Sequence, residues 1–341
     1  MIEKNKENKH STIGSSLLPI LEEYGVDIVF GIPGVHTVEI YRGLHKTSIK
    51  HITPRHEQGA GFMADGYSRV SGKPAVCLVI TGPGLTNILT AMAQARADSI
   101  PMLIISSVNP YDNKRKHSGL LHELPHQQKL LKKIAISSLT VKKTKDLIPT
   151  IKKSFLKMLE ERPGPVHIEI PTNVLNYEYQ KLKKNNLCIK KKKIKSSEKK
   201  INEVSNYLTH AKYPVLLLGG GARGCDEYIL KIVEKLSPYV ITTINARGIL
   251  GDHCMCIPAS PTLKTVRKEL KKADIVLAVG TEFGETDYDM YKDGNFPKLK
   301  KLIRVDINKN QLTKNIQPYL SIRSDAIYFF KKLSEILLVK K

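Results

Sequence analysis

Short apolar runs alternate along the first half of the chain with stretches in which apolar residues recur at helical spacing. The clearest helical stretch covers residues 145–160, where Ile148, Ile151 and Phe155 fall on one side. The pattern predicts strands at 27–30, 50–53, 75–80, 102–106 and 166–170, and helices at 13–24, 37–45, 57–70, 87–97 and 145–160. Such alternation is typical of a parallel sheet with helices on both faces.

The second half repeats this alternation after an interruption. Residues 177–200 are rich in lysine and asparagine and lack periodicity, which is typical of a basic linker. Beyond them the pattern predicts strands at 214–218, 239–244, 274–279 and 301–306, and helices at 226–236, 262–272 and 325–338. We therefore expect an α/β protein with two doubly wound, mostly parallel-sheet domains, over residues 10–176 and over a smaller, Rossmann-like central region at 201–338.

The composition agrees with two folded domains, since 41% of the 341 residues are hydrophobic. No apolar run is long enough to span a bilayer, so we expect no membrane contact, and the N-terminus MIEKNKENKH does not resemble a signal peptide. The five cysteines contain no C-x-x-C pair, which favours a reduced, cytoplasmic protein without a zinc site.

The formal net charge of +23 raises the question of nucleic-acid binding. The excess is mostly lysine, the chain has no tryptophan, and few aromatic residues interleave with the lysines, so base-stacking surfaces are not evident. A solvated surface and a basic linker explain the charge better, and nucleic acid is not an expected partner.

Three glycine-rich turns follow predicted strands, GIPG from Gly31, GPG from Gly82 and GGGARG from Gly219. Ligands of open α/β sheets gather at such strand ends, although a tight turn without a ligand is the alternative for each. The third turn matches G-x-G-x-x-G. The next predicted strand ends in TTINAR, with no acid for a ribose hydroxyl, so we reject NAD binding.

The string HELPH at residues 122–126 matches the zinc-protease pattern H-E-x-x-H. That pattern works only when a helix places both histidines on one face. Because Pro125 would interrupt the helix, we reject a metalloprotease and expect no metal ligand here.

The most distinctive run is RHEQGAGFMADGYSR at residues 55–69. Pro54 and the preceding predicted strand place Glu57 in the first turn of a helix, on which Ala60, Gly61 and Ala64 form a small-residue face. A carboxylate that complements the helix dipole would explain Glu57 without any further function. The order of motifs along the whole chain favours a functional role instead.

That order resembles the acetolactate synthase and pyruvate oxidase family of thiamine-diphosphate enzymes over residues 10–335. The N-terminal likeness rests on VDIVFGIPG at 26–34, the run at 55–69, TGPGLTN at 81–87, DSIP at 98–101 and RPGPVH at 162–167. The central-domain likeness rests on PVLLLGGG at 214–221, TT at 242–243, ADIVLAVG at 273–280 and VDI at 305–307. Segments 34–44, 121–125 and 285–291 resemble the 5-guanidino-2-oxopentanoate decarboxylase branch.

The resemblance implies that the N-terminal domain binds the pyrimidine of thiamine diphosphate and that the substrate is a 2-oxo acid. Glu57 would be the catalytic residue, because the matching glutamate hydrogen-bonds N1′ of the pyrimidine and promotes loss of the C2 proton. The other expected cofactor-binding residues are Pro33, Gly34, Thr81, Gly82, Gly84 and Asn87. Some relatives hold FAD on the central domain, but the turn at Gly219 alone does not support FAD here.

Family members also carry a C-terminal domain whose Gly-Asp-Gly and downstream Asn hold Mg²⁺ and, through it, the diphosphate. The nearest strings, GDH at 251–253 and DGN at 293–295, do not match, so we expect that domain to be absent from this chain. The resemblance then implies a decarboxylase or acetolactate-synthase-like enzyme, active only when the domain is supplied elsewhere, in a homo- or hetero-oligomer. A non-catalytic subunit or remnant of such an enzyme is the alternative.

Overall fold

The structure is a computed structural model that describes residues 11–110, 119–160, 162–179, 194–257, 259–288 and 297–339. The chain divides into two compact units, Met1–Lys191 and Lys192–Lys341. Each unit contains a six-stranded sheet, and the strands pair in parallel throughout both sheets. The expected α/β class with two parallel-sheet domains is confirmed. Within the described ranges, no helix combines the length and apolarity needed to cross a membrane.

The sheet of the first unit has the strand order β2-β1-β3-β4-β6-β5. Its strands are β1 (Ile28–Gly31), β2 (Lys50–Ile52), β3 (Ala75–Val79), β4 (Met102–Val108), β5 (Ser137–Thr140) and β6 (Pro165–Pro171). Its helices are α1 (Ile13–Glu23), α2 (Val38–Tyr41), α3 (Glu57–Ser71), α4 (Pro83–Asn87), α5 (Leu89–Asp98), α6 (Gln127–Ile134), α7 (Leu147–Glu160) and α8 (Thr172–Leu175).

Strand β3 shows why helices cover both faces of this sheet. Every residue of β3 is buried. Val76 and Leu78 belong to the core that α1 and α7 pack against, whereas Cys77 and Val79 belong to the core of α3 and α5. Because neighbouring residues of a strand point to opposite faces, a wholly apolar strand needs cover on both sides.

The sheet of the second unit has the order β12-β11-β10-β7-β8-β9, which is the strand order of dinucleotide-binding folds. Its strands are β7 (Pro214–Leu218), β8 (Tyr239–Thr242), β9 (Cys256–Ile257), β10 (Ile275–Val279), β11 (Leu302–Asp306) and β12 (Leu320–Arg323). Its helices are α9 (Glu198–Thr209), α10 (Asp226–Leu236), α11 (Lys264–Lys272), α12 (Glu285–Tyr288) and α13 (Ala326–Val339). Residues of β10 again alternate between two cores.

The strands that the sequence pattern missed are β5, β9 and β12, and all of them lie at the ends of the two sheets. An edge strand buries fewer side chains and therefore shows a weaker apolar pattern. The pattern also missed the helices α4, α6, α8, α9 and α12. The helix predicted at 87–97 corresponds to α5 and begins at the last residue of α4, and the helix predicted at 37–45 extends beyond the end of α2 at Tyr41.

The linker predicted at 177–200 is shorter at both ends. Tyr179 is buried in the core of the first unit, and its N–H donates to the carbonyl of Ser11 at 2.7 Å. At the other end, α9 begins at Glu198. Residues 180–193 lie outside the described part of the chain. The domain limits 10–176 and 201–338 stay predictions.

Candidate functional site

The carboxyl ends of β1, β2 and β3 lie at one edge of the first sheet, because these strands are parallel neighbours. The loop after β1 carries Pro33 and Gly34, the segment after β2 leads to Glu57, and the turn after β3 runs from Thr81 to Asn87. Strand order therefore gathers three segments that are far apart in sequence, as open parallel sheets do at ligand sites.

Glu57 is the first residue of α3, as the sequence predicts. His56 caps the helix, since its ring Nδ1 accepts a hydrogen bond from the N–H of Gln58 at 3.1 Å. The half-buried Glu57 carboxylate accepts a hydrogen bond from Asn87 Nδ2 at 2.9 Å on Oε2. Its Oε1 accepts none from the residues that the structure describes. One carboxylate oxygen is thus held in place and the other is available.

Gly34 and Gly84 bring their two turns against one side chain, that of Ile80. A Cβ atom at Gly34 would lie 2.7 Å from Ile80 Cγ2, and one at Gly84 would lie 2.6 Å from Ile80 Cγ1. The atom at Gly84 would also lie 3.4 Å from Glu57 Oε1. Any larger residue at either position would have to displace Ile80, so the glycines are required by close approach rather than by turn geometry alone.

The remaining predicted site residues are placed differently. Thr81 is fully buried, and its hydroxyl donates to Gln127 Oε1 at 2.7 Å rather than to Glu57. Gly82 has a φ of 62°, and a side chain there would collide with the carbonyl of His122. Pro33 is exposed at the neighbouring loop. The structure thus brings Glu57, Asn87, Gly84 and Gly34 together, whereas Thr81 joins an adjacent polar network.

That network centres on Gln127, which the sequence analysis did not single out. Gln127 Nε2 donates to Ser106 Oγ at 3.2 Å and to Glu169 Oε2 at 3.3 Å. Ser106 Oγ lies 2.8 Å from a ring nitrogen of His167. The signal in the sequence is the presence of His167 and Glu169 inside an apolar strand, where polar side chains are buried only with partners.

Two histidines lie beside the Gly82 turn. The rings of His36 and His122 are in edge contact, with centroids 6.1 Å apart. His36 is 9% exposed, and its Nδ1 has no hydrogen-bond partner in the described residues. Burial lowers the pKa of His36, the neighbouring His122 lowers it further, and a hydrogen bond with Asn109 opposes both.

The HELPH string does not form a helix. His122 and His126 have left-handed φ values of 53° and 54°, and helix α6 begins only after them, at Gln127. The described residues contain no group of three or more His, Cys, Asp or Glu side chains that could hold a metal ion. The string therefore lacks the helix that the zinc-protease pattern requires.

The glycine-rich turn at Gly219 is explained by packing between two loops of the second unit. A side chain at Gly219 would collide with the carbonyl of Gly280, and a Cβ at Gly221 would lie 2.9 Å from the Cα of Gly280. The two backbones touch, which only glycine permits. This contact accounts for the glycines without a dinucleotide.

Comparison with known proteins agrees with this arrangement. Residues 11–130 match the family model of the thiamine pyrophosphate enzyme N-terminal TPP binding domain. Residues 201–333 match the model of the thiamine pyrophosphate enzyme central domain. Each match lies within one of the two compact units.

Several curated proteins are similar over nearly the whole chain. The AruI protein of Pseudomonas aeruginosa, named as a probable 2-ketoarginine decarboxylase, is 39% identical over 333 residues, which cover 97% of this chain and 58% of that protein. The large subunit of acetolactate synthase isozyme 1 of Escherichia coli is 32% identical over 326 residues, which cover 93% of this chain and 56% of that protein. The chain spans about half the length of the curated relatives it matches.

A solved structure shares the fold. The X-ray structure of a protein from Mycobacterium smegmatis, described as a putative thiamin diphosphate-dependent enzyme, superposes with a TM-score of 0.83 at 19% sequence identity, covering 95% of this chain and 62% of that chain. At this identity the likeness concerns the fold alone. The two family matches show that the chain belongs to the thiamine pyrophosphate enzyme family, of which it carries the N-terminal TPP-binding and central domains.

Proposed function

We propose that this chain provides the pyrimidine-binding side of a thiamine-diphosphate site in which Glu57 activates the cofactor. The state of the Glu57 carboxylate carries the proposal: Asn87 holds Oε2, and Oε1 accepts no hydrogen bond from the described residues. An oxygen in this state can share a proton with a ring nitrogen of an aminopyrimidine. A carboxylate that served only the helix dipole would not need a partner 30 residues away in sequence.

The surroundings of Glu57 fit such a ring. Gly84 leaves the space next to Oε1 free of a side chain, and Gly34 keeps the neighbouring turn against Ile80. A flat ring can therefore approach both the carboxylate and the backbone of the turn. In this proposal Thr81 and Gly82 position the turn, and the exposed Pro33 borders it.

When bound, thiamine diphosphate supplies an electron sink for a carbon atom that loses carbon dioxide. Glu57 would hold a proton at N1′ of the pyrimidine, and Asn87 would keep the carboxyl group oriented toward it. We propose that Mg²⁺ and the diphosphate are held by a further domain, since the chain spans about half the length of its relatives.

The reaction we propose is decarboxylation of a 2-oxo acid. The relative named for 2-ketoarginine decarboxylase, at 39% identity, favours a substrate that ends in a guanidinium group. The acetolactate synthase relative, at 32% identity, makes joining of two 2-oxo acids the second candidate.

We also propose that another chain or domain covers the site. Val35 and Val38 follow β1, and Phe62 and Met63 lie on α3; their side chains are 78%, 49%, 44% and 45% exposed. Apolar side chains exposed on the two segments that carry Gly34 and Glu57 favour an interaction surface. A homo- or hetero-oligomer in which a partner supplies the diphosphate-binding domain agrees with this exposure.

The substitution Glu57→Gln tests the central proposal. Glutamine keeps the shape of the side chain but cannot exchange a proton, so we expect loss of the cofactor C2 proton to slow by about 10²-fold or more. The measurement is NMR exchange of that proton into D₂O, with the protein assembled with a diphosphate-binding domain.

Glu198→Gln is the matched control, because Glu198 is also a carboxylate in the first turn of a helix. It should exchange at the wild-type rate. Equal rates for wild type and Glu57→Gln would overturn the role of Glu57. Failure of every assembly to bind thiamine diphosphate in calorimetry would favour the non-catalytic subunit instead.

A further inference from the structure

A cavity of about 500 Å³ lies between the end of β4, the loop before α6, and strands β5 and β6. One part of its wall is apolar and is formed by Val108, Pro110, Leu120, Leu124, Pro125 and Leu139. The acidic residues Glu123 and Glu169 and the amide residue Gln127 also line it. A concave space that combines an apolar wall with buried polar groups is typical of a small-molecule pocket.

Glu169 is the buried charge of this cavity, with 5% of its surface exposed. Thr140 Oγ1 donates to Oε1 at 2.9 Å, and Gln127 Nε2 donates to Oε2 at 3.3 Å. A carboxylate has about four acceptor positions, so each oxygen retains capacity for a ligand. Burial raises the pKa of Glu169, although its two hydrogen bonds and the charges of Lys132 and Lys142 act in the opposite direction.

Gln127 places this carboxyl group next to the turn of the proposed cofactor site. Its Oε1 accepts from Thr81 Oγ1 at 2.7 Å and from the N–H of Gly82 at 3.4 Å, while its Nε2 reaches Glu169. One side-chain amide therefore separates the turn from the buried carboxyl group. A short aliphatic chain with a polar end can bridge a separation of that size.

We propose that this cavity receives the guanidinium end of the substrate, with Glu169 as its charge partner. The inference rests on the proposed function and deepens it. Guanidinium is planar and offers parallel N–H donors that match the two oxygens of a carboxylate, and the apolar wall suits the methylene chain. Glu169 is then a specificity residue of the reaction and does not touch the reacting atoms.

The lysines at the cavity would favour a bound anion over a bound cation. Lys129, Lys132 and Lys142 line it, and all of them are exposed. Solvent and salt screen exposed charges strongly, whereas a buried carboxylate is screened much less. A cation that reaches Glu169 therefore gains more from that carboxylate than the exposed lysines oppose.

Three probes of similar length test the charge preference without any cofactor. We would titrate the chain with 4-guanidinobutanoate, with the uncharged isostere 4-ureidobutanoate, and with hexanoate, and follow binding by NMR and calorimetry. We expect the guanidinium probe to bind about tenfold more tightly than the ureido probe, because its hydrogen bonds to Glu169 are charge-assisted. The preference should disappear in Glu169→Gln and persist in Glu198→Gln.

The proposal would be overturned if all three probes bound with equal affinity or if none of them bound. Tighter binding of hexanoate would also overturn it, because that result would indicate an anion site at the lysines. Because these outcomes are measured on the wild-type chain, they decide the question even where Glu169→Gln fails to fold. The proposal would also be overturned if Glu123→Gln lost the preference for the guanidinium probe and Glu169→Gln kept it. Guanidinium binding by an assembly with a diphosphate-binding domain that shows no response to thiamine diphosphate would leave the cavity assignment standing and contradict the proposed function.

Discussion

At the scale of single residues, burial shifts the pKa values of His167 and Glu169 on β6 in opposite directions. His167 is fully buried, with Ser106 Oγ and Ser138 Oγ each 2.8 Å from a ring nitrogen. Burial lowers its pKa to about 3 and raises that of Glu169. In both cases burial acts against the charged form, because that form would lose its hydration.

The burial of His167 predicts a loss of stability in acid. The unfolded imidazole takes up a proton near its ordinary pKa of 6.5, whereas the folded one stays neutral down to about pH 3. Between these values the unfolded state binds one more proton. The free energy of unfolding therefore falls as the pH is lowered, by up to about 1.4 kcal/mol per pH unit.

Denaturant unfolding of wild type and His167→Gln across this pH range measures the effect. The variant loses hydrogen bonds and starts less stable, so the slopes against pH are compared rather than the absolute values. We expect the free energy of unfolding of His167→Gln to depend less steeply on pH than that of wild type, by the amount that uptake of about one proton contributes. Ser138→Ala keeps the imidazole and should keep the wild-type slope; a His167→Gln slope equal to wild type would contradict a neutral buried histidine.

At the scale of elements, helix α3 begins and ends at local signals. The His56 cap starts it, and Gly72, with a left-handed φ of 69°, ends it. Both signals can be read from the sequence, and the predicted bounds 57–70 differ from the observed helix by one residue at its end. The face that packs is set by the partner helix α5, which lies against Gly61 but not against Gly66.

Alanine at these two glycines should therefore change stability in opposite directions. At Gly61 a Cβ atom would lie 2.5 Å from Ala91 Cβ and 2.8 Å from Ile88 Cγ1, so Gly61→Ala should lower the free energy of unfolding by about 1–3 kcal/mol. A Cβ atom at Gly66 would have no atom of the described chain within 4 Å beyond its own helix turn, so Gly66→Ala should raise the free energy of unfolding by about 0.5–1 kcal/mol. Chemical denaturation compares them, and a stabilising Gly61→Ala would disprove the close helix contact.

At the scale of the whole molecule, each unit has hydrophobic cores on both faces of its own sheet. A unit that buries both faces of its sheet has what a separately folding domain needs. We expect residues 11–179 and 194–339, expressed as separate fragments, each to unfold cooperatively in denaturant while retaining native-like circular dichroism.

A shorter first fragment that ends at residue 171 is the control. It lacks the buried residues Val174, Leu175 and Tyr179, which pack in the core of α1 and α7, so it should be less stable than the fragment 11–179. A fragment 11–179 or 194–339 without a cooperative transition would show that the units depend on each other for folding.

The sequence predicted the fold class and the position of Glu57 because both depend on local information. Apolar periodicity marks buried central strands such as β3 and β7, and proline, glycine and capping residues mark helix ends. It failed at the edge strands β5, β9 and β12, whose few residues carry little apolar pattern and are defined by a neighbouring strand. It also missed Gln127, because an isolated glutamine in a polar segment gives no sign of burial.

The sequence by itself determined the alternation of strands and helices, the order of the motifs and, through them, the family of this protein. Only the tertiary structure decided which groups meet: Asn87 holds the carboxylate of Glu57, Ile80 fills the space between Gly34 and Gly84, and Gln127 connects Thr81 to Glu169. These contacts follow from the order of parallel strands, which gathers distant loops at one edge of the sheet. Strand order depends on packing among all the elements, and no local pattern of residues encodes it.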